Sequence, residues 1–346
     1  MTTKIALIRA SASAQVGGGH IVRCMALARQ LKQQGWSCKF ISGPDTATTI
    51  PMVNEFDVMV IDENNPSTEA ADIRRLTGQD VPVLIIDHYG RGLDFETQCR
   101  QWADRIVVIS DMPSGSHDAN LLLDQSGGRT FEQYSGLIPD ACKLLLGPRY
   151  SLLRPQFSEH AVIDFKERAS APARVFISMG ATDGNNLTAI ALDAVNKVLP
   201  HTHVDIMLST QAPHLAAIQD RCVKDDRLSL HVDSDNPADF IARATFAIGT
   251  AGINLWERCS LGIPSVMVIA AENQRDNANY VAAKGGGLLV GTRGILLAAS
   301  GDLESAIEKI FYNQDDLNNM SKAAQDICDG KGAQRVADRI TAMAAP

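Results

Sequence analysis

Twice along this chain, short runs of branched apolar residues alternate with stretches of helical period, and no other feature limits the possible folds as tightly. In the first half the runs fall near 4–8, 37–41, 57–61, 82–86 and 105–109, with a helix expected over 20–34. In the second they fall near 174–178, 203–208, 228–232, 245–248 and 264–269. Helices are expected there near 186–198, 213–222, 253–261 and 273–283, with a wholly helical tail from about 302 onward. Strands that alternate with helices imply crossover connections, so each sheet is parallel and covered on both faces. The pattern weakens between about 150 and 172, where Pro155, a charged patch over 164–168 and Ser170-Ala171-Pro172 interrupt it. The chain is therefore expected to form two parallel α/β domains in tandem, 1–155 and 156–346, with a ligand in the cleft between strand C-termini.

Length and composition agree with two ordinary cores: 346 residues, 45% hydrophobic and 21% charged, which excludes disorder, collagen and a coiled coil. A net charge of −8, without basic runs interleaved with aromatics, makes nucleic acid and anionic membrane poor partners. Apolar stretches such as 265–271 fall far short of the ~18 residues that cross a bilayer. The apolar start closes at Arg9 and reads as a first strand rather than a signal peptide. Seven cysteines, odd in number and without a CxxC pair, fit free thiols in a reducing cytoplasm.

Four turns carry the polar chemistry. Gly17-Gly18-Gly19-His20 follows the first strand and opens a helix with apolar residues at Ile21, Cys24, Met25, Ala28 and Leu31. Glycines let backbone approach a ligand, and the helix start offers unpaired N–H groups. The dinucleotide fingerprint is not met, because no glycine closes the motif and no acidic residue ends the second strand, so NAD is disfavoured. At the positive end of the helix, His20 is suited to be a neutral, proton-accepting base; a capping or packing role competes with this. Asp87, His88 and Tyr89 end an apolar strand, where an aspartate can fix a histidine tautomer and a tyrosine can bond a sugar oxygen; a loop tied together by its own polar residues is the alternative.

In the second half, Gly249-Thr250-Ala251-Gly252-Ile253 joins a strand to a helix, and backbone N–H groups of such a turn suit phosphate oxygens. Glu257, one turn into that helix, can accept two hydrogen bonds from ribose hydroxyls or serve only the helix dipole. The turn carrying Ser178, Gly180, Thr182 and Asp183 is either a phosphate or base contact or a plain connection. Asp233-Ser234-Asp235 precedes Asn236-Pro237 and reads first as a helix cap, and His201 and His203 lack a third ligand, so no metal site is expected. Serine-hydrolase elbow and P-loop sequences are lacking.

Taken together, Gly17 to Cys24, Ile86 to Gly90, Leu121 to Gln125, Gly147 to Pro155, Trp256 to Cys259, Asn273-Gln274 and the Asp329 to Arg335 tail resemble one family in order and spacing. It is the family of UDP-2,4-diacetamido-2,4,6-trideoxy-β-L-altropyranose hydrolases of pseudaminic acid biosynthesis. The resemblance implies two Rossmann-like domains in the GT-B fold, similar to the bacterial glycosyltransferase that makes the lipid-linked peptidoglycan disaccharide. It implies UDP mainly on the second domain, the sugar lying toward the glycine loop and histidine of the first, and water replacing UDP at the anomeric carbon without metal or cofactor. The family's catalytic histidine maps onto His20, its tyrosine onto Tyr89 and its ribose-binding glutamate onto Glu257. The expected catalytic set is His20, Tyr89, Asp87 and His88. Gly18, Gly19, Arg23, Gly180, Thr182, Thr250, Ala251, Gly252, Ile253, Glu257, Asn273 and Gln274 are expected around the UDP-linked diacetamido-trideoxy sugar. Thr182 stands where family members often carry serine, and Ile253 removes a hydroxyl at an expected phosphate contact. The implied setting is the cytoplasm, with the product serving flagellin or surface-polysaccharide glycosylation. Two other readings stay open: a glycosyltransferase using a UDP-sugar donor, and a UDP-sugar sensor without turnover.

Overall fold

The computed structural model describes residues 4–13, 16–63, 65, 67–160, 163, 165–180, 182–292 and 301–344. Two units emerge: residues 1–154 with 331–346, and residues 155–330.

The first unit is built on seven strands: β1 (Ile5–Ala10), β2 (Ser37–Ser42), β3 (Asp57–Val60), β4 (Val81–Asp87), β5 (Ala103–Ile109), β6 (Leu121–Asp124) and β7 (Lys143–Leu146). They pair in the order β3-β2-β1-β4-β5-β6-β7, all parallel. Side chains alternate between the two faces. Ala6, Ile8 and Ala10 of β1 and Val83 and Ile85 of β4 join the core under helix α1 (Gly19–Gln33), whereas Leu7, Leu84 and Ile86 face the core on the other side. The second unit repeats the plan with β8 (Arg174–Ser178), β9 (His203–Leu208), β10 (Leu228–Val232), β11 (Phe246–Thr250), β12 (Ser265–Ile269) and β13 (Gly287–Thr292). Their order is β10-β9-β8-β11-β12-β13, again parallel throughout. Each sheet thus has one switch point where the winding reverses, β1/β4 in the first and β8/β11 in the second, and side chains beyond those strand ends are the ones placed to meet a ligand.

The division of the chain differs from the expected 156–346 second domain. The last helix, Gly332–Met343, packs Ala333, Val336, Ala337 and Ile340 into the α1 side of the first unit's core. Trp36 Nε1 donates to Thr341 Oγ1 at 2.9 Å, and Gln34 Nε2 to Asp338 Oδ1 at 2.7 Å. Helical period shows that a segment has an apolar face and leaves open which core receives it. In the expected linker, residues 161, 162 and 164 lie outside the described residues; its helix Phe165–Ser170 belongs to the second unit, where buried Arg168 donates to the Gly262 carbonyl and Ser321 Oγ. Among the described residues no disulfide joins the cysteines, and no helix is long and apolar enough to cross a membrane.

Candidate active site

At the switch point of the first unit, β4 ends on Asp87 and α1 begins with Gly19 and His20. Asp87 shares the parity of Val83 and Ile85, so its carboxylate projects beneath the start of α1. There the His20 Nδ1–H donates to Asp87 Oδ1 at 2.6 Å. Arg23, one turn on, grips the same carboxylate through Nε and Nη2, both at 2.6 Å, and reaches Asp111 through Nη1 at 2.6 and 2.8 Å. Cys24 Sγ adds a weak donor to Asp87 at 3.4 Å. Burial by itself would push the Asp87 carboxyl up; the Arg23 guanidinium and then the His20 ring hold it well below the usual carboxylate range. For Arg23 burial works against the charge, but Asp111 and Asp87 outweigh it and raise the guanidinium further. The Tyr89 ring meets His20 edge-on at 4.8 Å between centroids, and its hydroxyl lies 3.5 Å from Asp111 Oδ2.

With Nδ1 committed to a buried anion, the imidazole presents Nε2 as its acceptor, and His20 is 8% exposed. Arg23, expected around the substrate, is buried, and its three side-chain nitrogens bond Asp87 and Asp111. Asp111 was not singled out from the sequence. The signal was present, since it stands two residues past a legible strand ending at 109, and β5 neighbours β4.

His88 does not join this group. One residue past Asp87, it meets another set of partners: its Nδ1 accepts from the Gly90 N–H at 3.0 Å, and its Nε2 lies 3.6 Å from Glu63 Oε1. Glu63 and Glu69 are bridged there by buried Arg9, which also donates to Ser11 Oγ at 2.7 Å. Arg91 completes the cluster through Glu69. Burial, then the charges of Arg9 and Arg91, push the His88 imidazole down to about 4.

The two glycines before His20 differ. A Cβ on Gly18 would stand 2.2 Å from Ile50 Cδ1, so that side chain would have to move. A Cβ on exposed Gly19 would meet nothing within 4 Å.

In the second unit, β8 and β11 are joined Gly249 to Ser178, and the helix Ile253–Ser260 starts beyond Thr250-Ala251-Gly252. Asn254 Nδ2 donates to Ser178 Oγ at 3.0 Å, fixing the helix start over the end of β8. A Cβ on Gly252 would touch Gln274 Nε2 at 3.8 Å, while Gln274 Oε1 accepts from the Ala270 N–H at 3.0 Å, so Gln274 borders the turn. Asn273 is exposed in the preceding short helical turn, Glu272–Gln274. Glu257 is 3% exposed in the second turn of its helix. Gly180 follows β8 with a φ of +99°, and Thr182 is exposed. Asp183, which the sequence left without a role, takes the first N–H groups of the helix Leu187–Val198: its Oδ1 accepts from Leu187 at 2.9 Å and its Oδ2 from Thr188 at 2.8 Å. Those donors are occupied and the carboxylate is negative, so of the two turns the one at 250–253 suits an anion. Among the described residues no group of three or more His, Cys, Asp or Glu side chains is placed to hold a metal ion.

The chain is similar to known proteins over most of its length. Residues 175–340 match the glycosyltransferase family 28 C-terminal domain. The chain is 26% identical over 280 residues, 81% of its length and 96% of the relative's, to the UDP-2,4-diacetamido-2,4,6-trideoxy-β-L-altropyranose hydrolase of Campylobacter jejuni. It is 23% identical over 328 residues, 92% of this chain and 93% of the other, to the spore coat polysaccharide biosynthesis protein SpsG of Bacillus subtilis. Among solved structures it is similar to Acinetobacter baumannii MurG, with a TM-score of 0.65 at 16% identity, covering 98% of this chain and all of that one. The fold expected from the sequence, Rossmann-like α/β domains of the GT-B kind, is the fold found.

Proposed function

We propose that this protein is a UDP-sugar hydrolase, cleaving a UDP-linked diacetamido-trideoxy sugar at its anomeric carbon with water. The observation that carries this is the His20–Asp87 pair at 2.6 Å, locked by Arg23 at a sheet switch point; the 26% identity to the altropyranose hydrolase supports it. Water's proton passes to His20 Nε2 as its oxygen bonds to the anomeric carbon, while the bond from that carbon to the diphosphate oxygen breaks and UDP departs with the electron pair. Asp87 stabilises the imidazolium that forms. Backbone N–H groups at 250–253, with the dipole of the following helix, take the diphosphate charge, so the reaction needs no metal. Glu257 accepts from the ribose hydroxyls, and Gln274 borders the phosphates. Tyr89, 58% exposed beside His20, bonds the sugar. Attack opposite the leaving group inverts the anomeric centre.

The test is incubation with UDP-2,4-diacetamido-2,4,6-trideoxy-β-L-altropyranose in EDTA while free UDP and free sugar are followed. Both products are expected in equal amounts. Transfer to an acceptor, favoured by the family 28 match, is the second reading. Release of UDP only when an acceptor alcohol is added establishes transfer, and activity lost to EDTA but restored by Mg²⁺ overturns the metal-free mechanism.

A further inference from the structure

Two buried side chains hold the turn after β11 from beneath. Arg258 is fully buried; its Nε donates to Ser265 Oγ at 3.0 Å and its Nη2 to the Thr250 carbonyl at 2.9 Å. Asn277, buried in the helix Arg275–Ala283, donates through Nδ2 to the Ala251 carbonyl at 3.2 Å. The guanidinium needs Gly249: a Cβ there would lie 2.6 Å from Arg258 Nη1 and 2.5 Å from the Ser178 carbonyl oxygen. Arg258 Nη1 is buried and without a hydrogen-bond partner among the described residues. Burial pulls the guanidinium down to about 10, with Cys259 and Glu257 acting weakly the other way. A buried cation held this way does not stabilise the fold as a paired one would.

The backbone gives its placement a use. In a trans peptide the C=O and N–H point in opposite directions, and no cis peptide occurs among the described residues. With the carbonyls of Thr250 and Ala251 drawn onto Arg258 and Asn277, the N–H of Ala251 turns toward β12, where Thr250 is in register with Val268, and the N–H of Gly252 turns away from Asn277. Among the described residues, none of the turn's hydrogen bonds uses the Gly252 N–H. It joins the unsatisfied N–H groups that any helix start presents.

We infer that Arg258 and Asn277 are positioning residues for a diphosphate: they fix two successive peptide planes so that the Gly252 N–H and the helix start beyond it face the anion, and Arg258 adds positive potential behind them. This rests on the reading that the second unit seats UDP, and it concerns the phosphates, not the uridine.

The full-length protein is titrated with UDP and with uridine by NMR, alongside Asn277→Ala, Arg258→Met and Arg258→Lys, with thermal unfolding as the check on folding. The preference for UDP over uridine should fall roughly tenfold or more in Asn277→Ala and Arg258→Met, with uridine affinity nearly unchanged, and recover in part in Arg258→Lys. A merely structural role weakens both ligands together, and that result overturns the inference, as does an unchanged preference in a folded variant. If Arg258→Met does not fold, Asn277→Ala decides. A wild-type protein that binds UDP no better than uridine overturns the nucleotide seat itself.

Discussion

Asp87 and His88 are neighbours in sequence and have unrelated tasks, which makes them the sharpest residue-scale test of the site. Asp87→Asn keeps the shape but removes the anion that orients His20 and balances Arg23, so turnover should fall by roughly 10²-fold or more while UDP affinity is unchanged. His88→Gln should leave turnover within about twofold and change acid stability instead. The His88 ring is held at about 4 against an ordinary value of 6.5, so between these pH values the unfolded chain binds more protons than the folded one. The stability from the neutral ring is complete above pH 6.5 and lost as pH falls through 4, a loss on the order of 2–3 kcal/mol. Glu63 and Glu69, held below the usual range against the burial that would raise them, add losses only at lower pH. Denaturant unfolding from pH 7 to 4 should show a shallower slope in His88→Gln; parallel slopes would refute the assignment.

At the scale of elements, the two glycines at the start of α1 separate packing from function. Gly18→Ala forces the half-buried Ile50 side chain to shift and should lower thermal stability by about 1 kcal/mol. Gly19→Ala meets no atom of the chain and should leave thermal stability intact, yet cut turnover if the sugar approaches that backbone. Equal turnover in wild type and Gly19→Ala would remove the glycine loop from the substrate. These elements were readable beforehand because β1 and α1 carry opposite periodicities with a glycine break between them. The partition of side chains around β4 was not. Its apolar run is buried on both faces, so alternation is hidden, and Asp87 and His88 looked like one cluster when parity sends them apart. β6 and β7, four residues each, were too short to mark as strands, and Asp111 escaped notice for want of a motif around it.

At the scale of the whole molecule, the last helix belongs to the first core. Removing 331–346 uncovers the surface that Val336 and Ile340 bury, each worth about 1.5–3 kcal/mol, against a net domain stability of only about 5–15 kcal/mol. Hydrogen exchange on the truncated protein should show lost protection in β1 and β4 and preserved protection in β8 and β11; unchanged protection in β1 would refute this. The same helix sets an order of events on the ribosome. The unit 155–330 is continuous and has all its strands once residue 330 has emerged, whereas the unit begun first lacks the helix Gly332–Met343 until that later segment has emerged as well. The nascent amino-terminal half must wait with an apolar groove open along α1, so the half translated second is the first that can mature.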